Sequence, residues 1–168
     1  MVSDEGDATV FSIREAEPYT KNALLAGVPC AELPSIAGRK YLSSAESSVR
    51  LADGSILAGT HDTMLAHIKG EKVYSLGQVC SAGGVHSLTL AKDGTVYGVA
   101  GHALGVGQIF SFDPEAGVKL LGLVPEAPSA CGRNVAIYRP TVISASPSGK
   151  FLAIGGDDEL TGIAILKL

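Results

Sequence analysis

The sequence predicts an all-β fold made of repeated four-stranded antiparallel units. The first observation is an internal repeat, in which residues 48–60 align with residues 86–100 and place Asp53-Gly54 40 residues ahead of Asp93-Gly94. The second is that each copy contains short β-rich runs joined in pairs by turn residues. The third is that no stretch carries a sustained 3.6-residue apolar period, so we expect little or no helix.

The first two strands of each unit are joined by a tight turn. Asp-Gly pairs, and Ser148-Gly149 in a third copy at residues 142–155, are typical of β-hairpins because glycine accepts the positive φ that these turns require. The third and fourth strands are joined by turns at residues 69–71 and 113–117. Two hairpins per unit predict four strands per unit.

Four antiparallel strands in a unit of about 40 residues are typical of a β-propeller blade. The runs Ala-Lys-Asp-Gly-Thr-Val-Tyr-Gly and Gln-Ile-Phe-Ser-Phe-Asp-Pro-Glu-Ala-Gly-Val-Lys-Leu-Leu-Gly resemble the blades of kelch-like, NHL-like and virginiamycin-lyase-like propellers. We therefore predict one partial β-propeller over residues 1–168, with a half blade at 1–28, blades at 48–77 and 85–124, and a partial blade at 142–168. This resemblance implies an architecture and little chemistry, because propellers host many unrelated activities.

The expected strands amount to just over three blades, whereas propellers typically close with about four to eight. The sequence therefore predicts either a piece of a longer propeller or a homo-oligomer, because open strand edges promote aggregation. The N-terminal half blade offers third and fourth strands, and the C-terminal blade offers first to third strands. Two chains could complement each other in this way.

Composition and charge exclude several classes of protein. The 168 residues include 13 basic and 17 acidic side chains, for a formal net charge of −4, and 46% are hydrophobic. This balance argues against a nucleic-acid-binding protein that works through a basic face. The N-terminal residues carry no apolar run of signal-peptide length, and no run reaches the roughly 18 apolar residues of a membrane span. We expect a cytoplasmic protein that binds neither nucleic acid nor membrane.

The cysteines predict free thiols. Cys30, Cys80 and Cys131 are an odd number at wide spacing, without a Cys-x-x-Cys pair. This pattern indicates neither a disulfide scaffold nor a zinc knuckle, and it favours a reducing compartment.

The candidate ligand-binding residues lie in the loops between blades and in the loops that join the second and third strands of a blade. In propellers that resemble this chain, both sets of loops open on one face, where ligands reach the central channel. Together with the three cysteines, Arg139 and the acidic residues 157–159, that face would carry His61, Asp62, His86, His102, Arg39 and Arg133. The Asp-Gly hairpins and the turn at 69–71 would lie on the opposite face.

Each candidate also has a structural interpretation, which stays open. His61-Asp62 can form a hydrogen-bonded loop pair, and His102 can be a simple polar loop residue. His86 opens an inner strand, where a structural histidine and a ligand-binding one both fit the sequence. Arg39 and Arg133, in two similar loops, can bind an anion by bidentate contacts or tie down the carbonyls of their own loops.

No metal or cofactor is predicted. Cysteines and histidines on one face permit a transition metal by residue type alone, but a free cysteine is more often a small buried hydrophobe. Residues 157–159 lack the alternating ligand positions of a calcium loop. The sequence also contains no dinucleotide, phosphate-loop or serine-hydrolase motif.

The predicted function is non-catalytic binding of a small ligand, a glycan or a protein on the loop-rich face. The alternative is a lyase-type propeller enzyme that acts on a carbohydrate or cyclic ester by β-elimination, with a channel-facing histidine as base. An arginine or a bound metal would stabilise the enolate-like charge. Resemblance to virginiamycin-lyase-like and oligogalacturonate-lyase-like propellers implies this alternative, but none of their motifs is matched here, so no catalytic residue is assigned.

Overall fold

The fold is seen in a computed structural model, which describes residues 45–70, 72–80, 83–101, 107–128, 132–137, 139–157 and 162–168. Over these ranges the regular structure consists of β-strands and contains no helix, as the sequence predicts. The strands are β1 Ala45–Arg50, β2 Ile56–Thr60, β3 Met64–Lys69, β4 Lys72–Gln78, β5 Gly84–Leu90, β6 Val96–Gly101, β7 Gln108–Asp113, β8 Gly117–Leu123, β9 Ala127–Pro128, β10 Asn134–Val135, β11 Pro140–Ala145, β12 Phe151–Gly156 and β13 Ala164–Lys167. The predicted half blade at residues 1–28 lies outside the described residues.

The strands form antiparallel meanders, in which each strand pairs with the next one along the chain. The first sheet has the order β1-β2-β3-β4 and the second β5-β6-β7-β8. The third sheet contains β11-β12-β13, and a two-residue ladder pairs β9 with β10. Two four-stranded sheets and a three-stranded one confirm the prediction of an all-β fold built from four-stranded antiparallel units.

The predicted tight turns are present between the first and second strands. In the first sheet the Ser55 N–H donates to Asp53 Oδ1 at 3.0 Å, and Gly54 takes a φ of 83°. The second sheet repeats this turn at residues 93–95, with the same hydrogen bond at 3.0 Å. Because the hydrogen bond to the aspartate and the positive φ of the glycine are local features, three residues are enough to specify the turn.

Consecutive sheets stack face to face through their first strands. The strand β5 contacts β1 on one side and β11 on the other. Side chains of β7 alternate between two cores, because Phe110 lies in the cluster shared with the first sheet and Ile109 in the cluster shared with the third. Phe110 is 0% exposed and Ile109 3% exposed. The second sheet thus buries both faces against its neighbours, and such stacking of consecutive sheets is a propeller-like arrangement.

The long connection between β8 and β11 packs into the second core. The sequence predicts a loop here, whereas Ala127 and Ile137 are fully buried against Ile143 and Ile154 of the third sheet. The short β9–β10 ladder holds two stretches of this connection together. The connection therefore covers the seam between the second and third sheets.

The third sheet leaves its other face open to solvent. Val142, Phe151 and Ile165 are 51%, 42% and 62% exposed, although their strand neighbours Ile143 and Leu152 are buried. The predicted self-association stays a prediction, because the structure contains a single chain. In the described ranges, no helix is long and apolar enough to cross a membrane.

Candidate functional site

A cavity of about 410 Å³ lies where the ends of the three sheets meet. His61 and Asp62 enter it from the turn between β2 and β3, His86 from β5, and Arg139 from the residue before β11. Gly83, Gly84 and Gly101 supply the rest of the wall. We call this cavity the loop-face pocket.

The loop-face pocket brings together three of the six residues singled out by the sequence. His61, Asp62 and His86 all line it. Arg133 does not, and lies exposed beside β10. Arg39 and His102 lie outside the described residues. Arg139, which the sequence places on the same face, lines the pocket.

The turn that presents His61 is fixed by two buried threonines. Thr63 takes a φ of 63°, an unfavourable value for a β-branched residue. Its hydroxyl donates to the Cys80 carbonyl at 3.1 Å, while Thr60 Oγ1 accepts the Met64 N–H at 3.1 Å. Thr60 and Thr63 are 0% and 1% exposed. Surrounding structure thus holds a strained turn in place and projects His61 and Asp62 outward.

Glu46 of β1 bridges the two histidines. Its Oε1 lies 2.6 Å from His61 Nδ1, and its Oε2 lies 3.1 Å from His86 Nδ1. On the far side of its ring, His86 Nε2 donates to the Gly101 carbonyl at 2.8 Å. One carboxylate therefore ties the β2–β3 turn of the first sheet to the inner strand of the second sheet.

The carboxylate changes the chemistry of His61. The hydrogen bond from Nδ1 to Glu46, followed by the charge of Glu46, raises the pKa of His61 above its ordinary value. The side chain of His61 is 66% exposed, so this is a surface imidazole oriented by one partner. Because Nδ1 carries the shared proton, the neutral ring has a bare Nε2 that accepts hydrogen bonds.

Gly84 makes room for this bridge. A Cβ on Gly84 would lie 2.2 Å from Glu46 Oε2 and 3.2 Å from His86 Cε1. Beside it, the Ser47 hydroxyl donates to the Val85 carbonyl at 2.6 Å and links the same two sheets. A glycine at the start of β5 is therefore needed for Glu46 to reach His86.

The cation at the rim is Arg139. Its guanidinium lies 3.4 Å from Asp157 Oδ2, and both side chains are about half exposed. An exposed pair of this kind contributes little to stability. The guanidinium stays close to the pocket opening, where its N–H groups serve as donors.

Sequence reasoning missed Glu46. The residue precedes the aligned repeat and belongs to no motif, and its position depends on a register shift between Ala45 and Ser47 in the pairing of β1 with β2. A bulge of this kind turns a side chain away from the regular ladder. The one available signal was its charge, in a strand segment that is otherwise uncharged as far as Arg50.

Cys80 and His67 lie outside the pocket and have structural surroundings. Cys80 is 7% exposed, belongs to the core between the first and second sheets, and forms no disulfide. His67 is 2% exposed, donates from Nε2 to Ser55 Oγ at 2.7 Å and packs edge-on against Phe112. Burial lowers the pKa of His67. Among the residues that the structure describes, no group of three or more His, Cys, Asp or Glu side chains could hold a metal ion.

Comparisons with known proteins identify no family. No family model matches the chain, and no curated protein matches it. Among solved structures, the chain is similar to the PQQ-bound form of an aldose sugar dehydrogenase from Streptomyces coelicolor, at 16% sequence identity and a TM-score of 0.43. The match covers 68% of this chain and 38% of that one, so this chain spans well under half of that protein.

Proposed function

We propose that this chain is a binding module that takes a small polyhydroxylated ligand, a glycan, in the loop-face pocket. The supporting observation is that both ring nitrogens of His86 face protein acceptors, Nδ1 at 3.1 Å from Glu46 Oε2 and Nε2 at 2.8 Å from the Gly101 carbonyl. A histidine whose two nitrogens both face protein groups forms part of the pocket wall and is poorly placed to take a proton from a substrate. The function favoured by the sequence is therefore also the one favoured by the geometry.

The lining of the pocket suits hydroxyl groups. Each sugar hydroxyl both donates and accepts, and the pocket carries donors in Arg139 and acceptors in Asp62 and in Nε2 of the neutral His61 ring. The glycine stretches of the wall allow a ligand to approach the backbone closely. A volume of about 410 Å³ lies within the range of small-molecule sites.

A second candidate is the lyase-type reaction, with His61 rather than His86 as base. The observation in its favour is the 2.6 Å contact between His61 Nδ1 and Glu46, since a carboxylate behind an imidazole orients it and increases its basicity. In a β-elimination, His61 Nε2 would remove the proton from the carbon next to a carboxyl or ester group, and Arg139 would stabilise the resulting enolate charge. Collapse of the enolate would form the double bond and break the bond from the β-carbon to its oxygen substituent, which leaves as an alcohol after protonation by water. This reaction is the one that the resemblance to virginiamycin-lyase-like propellers implies.

The test is calorimetric titration of the purified chain with a panel of neutral and acidic oligosaccharides. We expect one or more members to bind, and His61→Ala and Arg139→Ala each to weaken that binding roughly tenfold, as loss of one hydrogen bond to a charged group would. Asp93→Ala, in the hairpin turn at the other end of the sheet, is the matched control and should bind as the parent does. Equal binding by all three variants would contradict the proposal.

The same samples distinguish the second candidate. A β-elimination leaves a carbon–carbon double bond conjugated with the carboxyl group, which absorbs ultraviolet light. The absorbance is followed during incubation with an acidic oligosaccharide. If it grows with the parent and not with His61→Ala, the chain is a lyase and the binding-module proposal is wrong. A flat absorbance trace together with measurable binding supports the module.

A further inference from the structure

An irregularity recurs in the first strand of every described sheet of three or more strands. The pairing register shifts between Ala45 and Ser47 in β1, between Val85 and Ser87 in β5, and between Pro140 and Val142 in β11. The residues skipped by the ladders are Glu46, His86 and Thr141. Bulges redirect a side chain at a sheet edge, and they are common next to binding sites.

Two of these bulges face each other across one seam. The contact between β1 and β5 brings Glu46 Oε2 to 3.1 Å from His86 Nδ1, so the bulged residues of two consecutive sheets lie within ion-pair distance of each other. The second oxygen of Glu46 reaches His61 on the turn between β2 and β3. The side chains of Glu46 and His86 are 26% and 14% exposed, which shields this arrangement partly from water.

We infer that Glu46 is the positioning residue of the loop-face pocket, which fixes both histidines and turns His61 Nε2 to the ligand as a hydrogen-bond acceptor. The identity of the ligand in this inference rests on the proposed function of the pocket. The arrangement of the histidines does not depend on it. Glu46 acts through His61 and His86, because it is not itself part of the pocket wall. The site then selects ligands that present a hydroxyl donor to His61.

The arrangement also makes ligand affinity depend on pH. When His61 takes up a second proton its Nε2 becomes a donor, and the acceptor that the ligand hydroxyl needs is lost. The charged and titratable groups around it are Glu46 on β1, Asp62 on the same turn, His86 on β5, and Arg139 with Asp157 at the third sheet. Glu46 favours the protonated ring, in agreement with the raised pKa of His61.

The inference is tested first without ligand, by nitrogen NMR of the imidazoles during a pH titration of the full chain. In the parent, neutral His61 should carry its proton on Nδ1, and its midpoint should lie above the ordinary value of about 6.5. In Glu46→Gln, which keeps the shape and removes the charge, the midpoint should fall toward that ordinary value. A midpoint and a tautomer that do not respond to Glu46→Gln would overturn the inference.

Gly84→Ala provides a second variant that alters no polar group. Its Cβ would displace the Glu46 carboxylate, whose tip can move aside, so the chain should fold while His61 titrates as in Glu46→Gln. Gly155→Ala is the control, because its Cβ meets only Val142 Cγ1 at 3.1 Å, in the third sheet. If Gly84→Ala retains the parent titration of His61, the Glu46 bridge is not the cause of it.

The second arm measures affinity for whichever oligosaccharide binds the parent. Glu46→Gln and Gly84→Ala should each weaken it up to roughly tenfold, the upper net worth of one hydrogen bond between neutral groups. Parent affinity should also fall as pH drops through the His61 midpoint. Unchanged affinity in both variants would overturn the role of Glu46 in binding. If the parent binds nothing while the NMR result holds, the proposed function fails and the positioning of the histidines stands.

Discussion

Replacing Gly59 with alanine tests how the first and second sheets pack. Gly59 lies in β2 opposite Ser47, and an added Cβ would lie 2.2 Å from Val85 Cγ1, 2.4 Å from Val85 Cβ and 2.9 Å from Ser47 Oγ. The Cβ of Val85 is fixed to the backbone of β5, so side-chain rotation cannot relieve the contact. Since ordinary contacts begin near 3.4 Å, the two strands must separate by about 1 Å.

The expected destabilisation follows from two contributions. Overpacking of a close-packed seam costs about 1–3 kcal/mol. Separation of the strands also breaks the bond from the Ser47 hydroxyl to the Val85 carbonyl, whose net worth is about 0.5–1.5 kcal/mol. We therefore expect Gly59→Ala to lower the free energy of unfolding by roughly 1.5–4.5 kcal/mol, a large share of the 5–15 kcal/mol of a typical domain.

Urea denaturation measures this effect directly. Gly155→Ala is the matched control, since it also places alanine in a strand without a positive φ, and it meets only Val142, which is 51% exposed. The control should stay within about 0.5 kcal/mol of the parent. If Gly59→Ala is as stable as Gly155→Ala, then β2 and β5 are not packed as the structure has them.

Two other predictions concern His67 and the cysteines. Burial lowers the pKa of His67, so below about pH 6.5 the unfolded chain binds a proton that the folded chain does not, and stability falls as the pH drops from there toward the folded pKa. The urea midpoint should consequently fall more between pH 7.5 and 5.5 in the parent than in His67→Gln, and an equal fall would contradict the assignment. Three thiols should titrate in denaturant without reductant, and Cys80, at 7% exposure, should react slowly in the folded chain. Fewer than three thiols in denaturant would refute the prediction of free cysteines.

The hairpins were predictable because their chemistry is local. An aspartate that bonds the N–H two residues ahead, followed by a glycine with positive φ, specifies the turn at Asp53 without help from the rest of the chain. Fold class could therefore be predicted from the sequence with few assumptions.

The composition of the site was only partly predictable, because it depends on contacts between sheets. His61, Asp62 and His86 follow from their places at strand ends, whereas Glu46 enters through a bulge that shifts the register by one residue. Arg139 lines the pocket and Arg133 does not, because of how the connection between β8 and β11 folds onto the second core. Ile137 and Ala127 are buried there by packing against the third sheet, and no local sequence pattern predicts this burial.

The most direct measurement of the central claim is a map of amide chemical shifts during titration with the oligosaccharide panel. If the loop-face pocket binds the ligand, the amides of Gly84, His86 and Gly101 should move, while those of Gly54 and Gly94 at the hairpin turns should not. Shifts confined to the hairpin turns, or no shift with any member of the panel, would contradict the account.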